Sequence, residues 1–281
     1  MPHRARACDE EVRHLSMKTN HITRIWPAAG VLGAAIGAAL WIAAPAAQQA
    51  PPDNAALGQP HRALSETEMI EAPPVPEGFT PIFNGKDLTG WHVSKTNHHG
   101  TTPDYRVIHG VIVGTQSPWN EGGILLTDKR YRNFEVYMEV KPDWGNDSGL
   151  FLRSNEAGQA YQVTMDYLPG GSIGGIYGEG LKGVSGTNAE GTVPWHQAWH
   201  REEWNRVRAR IEGDVPRIQV WINDQLVRDF TDSANHAADG ATDGMIAIQV
   251  HRNGVTPGQE YQRWVPGGFW RWRTIAVKEL P

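Results

Sequence analysis

Residues 134–140 read FEVYMEV, and this stretch decides the fold because the character of its side chains changes at every step. Phe134, Val136, Met138 and Val140 are apolar and would share one face of an extended strand. The three residues between them, two glutamates and a tyrosine, would share the other face. Such a strand buries one face against a core, so a second layer has to cover that face.

The same period of two recurs through the rest of the chain. Residues 207–211 and 218–222 alternate in the same way. Shorter β-like runs are residues 106–112, 149–153, 161–167, 245–251 and 273–278. Turn signals such as Asn84-Gly85, His109-Gly110 and Asn223-Asp224 separate these runs. Many short strands with no convincing helical stripe predict an all-β fold, a two-sheet β-sandwich of jelly-roll type.

The first 46 residues are predicted to be a signal peptide. Residues 26–46 carry no charge, two basic residues precede them, and Ala44-Pro45-Ala46 is a small-x-small cleavage site. Met17 is the predicted true start, because the sixteen residues before it include three acidic residues that no signal needs. An uncleaved anchor is the alternative, since the apolar run approaches the ~20 residues that span a bilayer. Cleavage would leave an exported protein, periplasmic or extracellular, without a membrane anchor.

The remaining chain is predicted to contain a linker and one domain. Residues 47–77 are rich in proline and alanine and show no sustained period, which is typical of an extended linker. Residues 78–281 show no internal repeat and no compositional break. This length is sufficient for one sandwich domain with a sizeable core.

Composition excludes several classes of function. The chain has 281 residues, a formal net charge of −5 and one cysteine. The acidic balance argues against a nucleic-acid partner, which a basic surface would recognise. A single cysteine excludes a disulfide framework and any multi-cysteine metal site. The oligomeric state is left open.

Several stretches, in the right order, resemble the DUF1080 family, also described as 3-keto-disaccharide hydrolases. Residues 78–91, GFTPIFNGKDLTGW, are similar to the opening motif of that family. Residues 146–153, NDSGLFLR, resemble its N-S-G-x-x-x-R strand, with one extra residue before the serine. Residues 161–166, YQVTMD, stand where the family usually shows Tyr-Glu-x-Gln-x-x-Asp or a close variant. The resemblance covers residues 78–280 and implies a fold similar to concanavalin A-like lectins and glucanases.

The resemblance also implies a substrate, an oxidised disaccharide or glycoside whose sugar carries a ketone at C3. Such a ketone acidifies the C2 proton, so a base can remove it while hydrogen-bond donors stabilise the enolate. The glycosidic oxygen at C1 can then leave by elimination, and addition of water would give net hydrolysis. This chemistry needs a base, donors to the C3 oxygen and a proton donor for the leaving group, rather than two carboxylates at glycosidase spacing.

Strand alternation predicts which polar side chains can meet. Gln162 and Asp166 share one face of their run, and Gln249 and His251 share one face of theirs. Arg153 ends a third run with a polar position. If these faces line one concave sheet, the five side chains converge above it, as in a lectin-like sugar groove.

Chemistry suggests roles for the candidate catalytic residues. His251, with an ordinary pKa of about 6.5, could be the base for the C2 proton or the acid for the leaving group. Asp166 could be the base itself or orient the histidine. Arg153 is a fixed cation suited to an enolate oxygen, although an ion pair with Asp166 is the structural alternative. Tyr177, in a glycine-rich segment predicted to be a loop, could donate a proton or a hydrogen bond.

The candidate substrate-binding residues are Gln162, Gln249 and Trp221. Gln162 and Thr164 stand where the family usually has Glu and Gln. Loss of that glutamate favours an alternative function, a non-catalytic carbohydrate-binding domain that retains the groove. A conventional glucanase is disfavoured, because the nearest match to its Glu-x-Asp-x-x-Glu strand, residues 135–139, lacks the central aspartate.

Metal binding is left open by the sequence. The histidines at positions 98, 99, 196, 200 and 251 are too scattered for an argument from spacing. The H-x₃-H pair of His196 and His200 lies in a segment rich in proline and tryptophan and is a weak signal. A divalent cation held by carboxylate and amide oxygens is compatible with the composition. No cofactor is predicted with certainty.

Overall fold

The computed structural model describes residues 72–166, 168, 171–188, 192–254 and 262–281. The predicted signal peptide and most of the predicted linker lie outside these ranges. Within them, no helix is both long enough and apolar enough to cross a bilayer.

Two antiparallel sheets form the domain, which confirms the predicted all-β sandwich. The nine-stranded sheet has the strands β1 (Thr80–Pro81), β3 (Asp104–Ile108), β4 (Val111–Thr115), β6 (Phe134–Val140), β10 (Gly186–Asn188), β11 (Asn205–Glu212), β12 (Arg217–Ile222), β13 (Gln225–Asp232) and β15 (Trp270–Glu279). The six-stranded sheet has β2 (Trp91–Val93), β5 (Gly123–Tyr131), β7 (Ser148–Ser154), β8 (Ala160–Met165), β9 (Ile173–Glu179) and β14 (Gly244–Val250). The described helices are short, α1 (Trp195–Ala198) and a 3₁₀ turn at Ala238–Gly240.

Strand order follows from hairpins and longer crossovers. The nine-stranded sheet runs β10-β13-β12-β11-β6-β15-β4-β3, with β1 paired to β15, and the six-stranded sheet runs β2-β5-β14-β7-β8-β9. The run 106–112 is a hairpin of β3 and β4, because His109 and Gly110 both take positive φ at the turn. The glycine-rich segment predicted as a loop around Tyr177 is instead β9, at one edge of the six-stranded sheet.

The apolar faces of the two sheets meet in one core. Phe134, Val136 and Met138 from β6 are fully buried there, as their alternation predicts. The six-stranded sheet contributes the inward faces of β7, β8 and β14. Trp270 and Trp272 stack with ring centroids 5.8 Å apart and are also fully buried, so these two tryptophans stabilise the core and are not available to stack on a sugar.

The pairing register of β7, β8, β9 and β14 determines which outward-facing side chains are neighbours. Phe151 is paired with Gln162, and Gln162 is paired with Tyr177 on the next strand. On the other side, Phe151 is paired with Ala247. Polar side chains that are far apart in sequence therefore lie side by side on the outside of the six-stranded sheet.

Candidate functional site

A hollow of about 540 Å³ lies on the outer face of the six-stranded sheet. Gln162, Asp166, Tyr177 and His251 all line it. Four of the seven candidate residues are therefore brought together around one space. Its volume lies within the range typical of small-ligand sites.

Gln249 is buried beneath the hollow and contacts two of the residues that line it, Gln162 and His99. It accepts a hydrogen bond at Oε1 from Gln162 Nε2 (3.0 Å), and its own Nε2 lies 2.9 Å from Nε2 of His99. Gly149 makes this possible, because a Cβ atom there would lie only 2.0 Å from Gln162 Nε2. The glycine therefore lets the Gln162 side chain cross strand β7 to reach β14.

Asp147 and His251 form the most perturbed pair in the hollow. Nδ1 of His251 donates to the carbonyl oxygen of Arg252 (2.6 Å), so Nε2 carries the lone pair and faces Asp147 Oδ2 at 3.7 Å. Burial, with the nearby charge of Asp166, raises the pKa of Asp147 to about 8. Burial, with His99 alongside, lowers the pKa of His251 to about 3. The histidine is thus a neutral base near neutral pH rather than the cation that an ordinary pKa would allow.

Asp166 has a different partner from the two that the sequence suggested. Arg263 donates from Nη1 to Asp166 Oδ2 (2.7 Å), and the backbone N–H of Leu168 donates to Oδ1 (2.9 Å). Burial raises the pKa of Asp166 in spite of these bonds. Asp147, not Asp166, faces His251, and Arg153 forms no ion pair with Asp166.

Arg252 supplies a cation to the hollow. Within the described ranges its guanidinium has no carboxylate partner, and its buried Nε has no hydrogen-bond partner. The neighbouring backbone is held firmly, because Gln116 donates from Nε2 to the carbonyl oxygen of His251 (2.7 Å). A fixed cation without an internal anion is suited to an anionic or enolate oxygen.

Tyr177 stands at the rim. Its side chain is 56% exposed, and its position on β9 is set by the pairing with Gln162. Its hydroxyl can therefore contact a ligand in the hollow from the solvent side.

The placement of Arg153 on the polar face was wrong. Arg153, the second-last residue of β7, has φ 55°. This left-handed conformation interrupts the alternation of side chains between the two faces of the strand. Its guanidinium is buried elsewhere, donating to the carbonyl oxygens of Arg132 (2.8 Å) and Gly213 (2.9 Å) and to Asn133 Oδ1 (3.0 Å). Arg153 therefore connects the turns at residues 132–133 and 213 and lies outside the hollow.

The placement of Trp221 in the site was also wrong. Trp221 lies on β12 of the nine-stranded sheet, facing away from the core, whereas the hollow is on the opposite side of the sandwich. The guanidinium of Arg208 stacks on its ring at 3.9 Å. This stacking occupies one face of the indole ring.

Three side chains at one end of the hollow could hold a metal ion. Nε2 of His98 and Nε2 of His99 lie 3.0 Å and 3.5 Å from the same oxygen of Glu179, Oε1. Although burial favours the neutral form, hydrogen bonds from the two histidines lower the pKa of Glu179 to about 2. Burial lowers the pKa of His99. A carboxylate and a neutral imidazole are the forms that metal ligands require.

Sequence reasoning missed Asp147, Arg252, Arg263 and Glu179 as members of this site. A signal was present for Asp147, which is the extra residue before the serine in residues 146–149, NDSG. The others lie at strand ends or beyond them, where periodicity does not indicate the direction of a side chain. Segment 263–268 is attached through the backbone, because the N–H of Asp147 donates to the carbonyl oxygen of Arg263 (2.8 Å).

A sandwich with a polar hollow on one sheet is the architecture of carbohydrate-active β-sandwich proteins, and comparison with known proteins agrees with that class. The chain belongs to the 3-keto-disaccharide hydrolase family (DUF1080): residues 78–277 match the family model described as a 3-keto-alpha-glucoside-1,2-lyase-like domain. The match covers nearly the whole predicted domain.

Individual relatives are distant. A 3-keto-disaccharide hydrolase of Bacteroides thetaiotaomicron is 28% identical over 95 residues, which is 33% of this chain and 33% of that protein. A crystal structure described as a candidate glycosyl hydrolase from Parabacteroides distasonis is 19% identical, with a TM-score of 0.46, covering 73% of this chain and 95% of that one. A Bacillus licheniformis β-glucanase is 13% identical, with a TM-score of 0.43, covering 73% and 99%.

Proposed function

We propose that this protein is an exported enzyme that cleaves glycosides whose sugar carries a ketone at C3. The coarse class, a carbohydrate-active protein, follows from the family. The 3-keto substrate is supported by the description of the family and by the name of the Bacteroides relative. Export is supported by the uncharged segment 26–46 and the cleavage site that ends it.

The observation that carries the proposal is Asp147. Its side chain is only 6% exposed, it lines the hollow, and its pKa of about 8 lies near neutral pH. A base works best when its pKa is close to the working pH, because it is then both available and strong. Perturbed carboxylates in clefts are typical of acid–base sites.

The proposed reaction begins with removal of the C2 proton by the Asp147 carboxylate. The electron pair of the C–H bond forms the C2–C3 double bond, and the negative charge moves to the C3 oxygen. The Asp147 carboxyl, now protonated and 3.7 Å from the neutral imidazole of His251, then gives this proton to the leaving glycosidic oxygen.

The second step expels the leaving group. The C3 carbonyl re-forms, a double bond forms between C1 and C2, and the bond from C1 to the glycosidic oxygen breaks with its electrons on oxygen. Addition of water to the resulting enone would give the free 3-keto sugar. Arg252 is the cation proposed to stabilise the enolate oxygen, the role that the sequence suggested for Arg153.

A non-catalytic carbohydrate-binding domain is the second candidate. The observation that favours it is Gln162, which stands where the family usually has a glutamate and donates a hydrogen bond to Gln249. Two hydrogen-bonded amides carry no charge and are suited to binding sugar hydroxyls. The two candidates differ in whether a bound 3-keto sugar is turned over.

The test uses the purified protein with 3-keto-trehalose, a chromogenic 3-keto-glucoside and the unoxidised parents of both. Release of aglycone from the keto compounds alone is the expected result. Binding without turnover would establish the second candidate in place of the first. Cleavage of the unoxidised parents would contradict both.

A further inference from the structure

We infer that His98, His99 and Glu179 form a binding site for a first-row divalent transition-metal ion at one end of the hollow. The three side chains supply two imidazole nitrogens and one carboxylate oxygen, and these atoms all lie within 4.8 Å of one another. Within the described ranges they form the one such group of three or more side chains. Imidazole with carboxylate selects ions such as zinc, cobalt or manganese over calcium.

The distances between the ligand atoms fit a shared ion. Metal bonds to histidine nitrogen and carboxylate oxygen are about 2.0–2.2 Å long. Two such ligands are therefore about 3.0 Å apart at a right angle and about 3.4 Å apart at a tetrahedral angle. The observed separations from Glu179 Oε1 are 3.0 Å to His98 and 3.5 Å to His99. Little movement would be needed to place an ion between them.

The backbone around the ligands is held by hydrogen bonds. The N–H of His99 donates to Asn97 Oδ1 (2.9 Å), and its carbonyl oxygen accepts from the N–H of Gly122 (2.7 Å). Glu179 ends strand β9 and is paired with Ala160 on β8. Gln249 Nε2 lies 2.9 Å from His99 Nε2. That nitrogen is the atom that faces Glu179.

The position of the site suggests a role for the ion in the reaction, and this role rests on the proposed function. The ring of His99 lies 4.7 Å from the ring of His251, edge to face, so an ion here would lie next to the imidazole that faces the proposed base, Asp147. Three protein ligands leave coordination positions open for other oxygens. A 3-keto sugar offers two on adjacent carbons, the C3 carbonyl and the C2 or C4 hydroxyl. An ion bound to the carbonyl oxygen would stabilise the enolate together with Arg252.

Binding is tested first with the metal alone. Untagged protein is treated with a chelator, dialysed, and titrated with Co²⁺ followed by absorption spectroscopy and with Zn²⁺ followed by calorimetry. We expect one ion per chain and visible Co²⁺ bands of a low-symmetry nitrogen and oxygen site. Glu179→Gln and His98→Gln should each weaken binding at least about 100-fold.

The controls separate this site from other histidines and from misfolding. His200→Gln removes half of the H-x₃-H pair and should leave the affinity unchanged. His98 is exposed, so His98→Gln should fold even if replacement of buried His99 does not. No saturable binding of Co²⁺ up to about 1 mM, or equal affinity in Glu179→Gln and wild type, would overturn the site.

The use of the ion is tested separately on the 3-keto substrate. Chelation should reduce turnover and Zn²⁺ or Mn²⁺ should restore it, in wild type but not in Glu179→Gln. Tight binding with unchanged turnover would remove the role in the reaction and leave the site. Tight binding in a protein that turns over no keto sugar would instead contradict the proposed function, so the two failures are distinguishable.

Discussion

The outer faces of the two sheets both bury carboxylates, but the side chains that contact these carboxylates differ. On the nine-stranded sheet, Glu139 accepts a hydrogen bond from Arg273 (2.8 Å) and Glu135 accepts one from Arg208 (3.0 Å). On the six-stranded sheet, Asp147 is equally buried, yet the group that faces it is the imidazole of His251 at 3.7 Å. A guanidinium in contact allows a buried carboxylate to remain charged, whereas Asp147 holds its proton up to about pH 8. The first arrangement stabilises a fold and the second leaves a proton available for chemistry.

Removal of the Asp147 carboxylate should have the largest effect on function. In Asp147→Asn, turnover of a 3-keto-glucoside should fall about 10³-fold, because the amide cannot accept the C2 proton. Steady-state rates with the chromogenic substrate measure this. Asp166→Asn is the matched comparison in the same hollow, and a smaller loss is expected since Arg263 already binds that carboxylate. Wild-type turnover in Asp147→Asn would refute the assignment of the base.

Breaking the buried ion pair on the opposite sheet should affect stability alone. Glu139→Gln leaves the guanidinium of Arg273 buried without its counter-charge, so the free energy of unfolding should fall by about 3 kcal/mol. Urea denaturation measures the loss, and kcat on the keto substrate should not change. The double variant Glu139→Leu with Arg273→Met should recover much of the stability. A loss of kcat at full stability would mean that the two faces are not independent.

The raised pKa of Asp147 should make stability and turnover depend on pH in opposite directions. The folded pKa of Asp147 is about 8, above the ordinary value of 3.8, with His251, Arg263, Asp166 and Glu179 as the ionisable groups around it. The folded state then binds more protons than the unfolded state between these values, so the free energy of unfolding should fall as pH rises through that window. Turnover should instead rise towards pH 8, because the ionised carboxylate is the base.

The control for this pH dependence is Asp147→Asn, which removes the titration. Its free energy of unfolding should exceed that of wild type by on the order of 2 kcal/mol above pH 8, with little difference near pH 4. Denaturation series at several pH values would show it. Parallel pH profiles for the two proteins would contradict the raised pKa.

The smallest effect is expected at Trp221. Trp221→Leu removes the stacking of Arg208 on the indole, which contributes on the order of 0.5–1 kcal/mol at a partly exposed position. Thermal denaturation should detect this small loss, and affinity for 3-keto sugars should stay the same. Weaker sugar binding in this variant would indicate a second carbohydrate site on the nine-stranded sheet.

Strand periodicity was sufficient to predict the sandwich and part of the hollow. Gln162, Gln249 and His251 were placed correctly because alternation is a local property of an extended chain. Arg153 was misplaced because its own positive φ reverses the direction of its side chain. The neighbouring residues in the sequence do not indicate that conformation. Tyr177 was given the right location but the wrong element, since its glycines permit close contacts within a strand as readily as they permit a loop.

Sequence alone determined the class of fold, the family and the residue types available for the chemistry, because hydrophobic period and ordered motifs are written along the chain. Only the tertiary structure decided that Asp147 faces His251, that Arg263 binds Asp166, and that His98 and His99 converge on Glu179. These contacts join loops to strand ends across long separations in sequence, and no local rule specifies them. Burial then sets the protonation of each group, and burial is a property of the folded molecule.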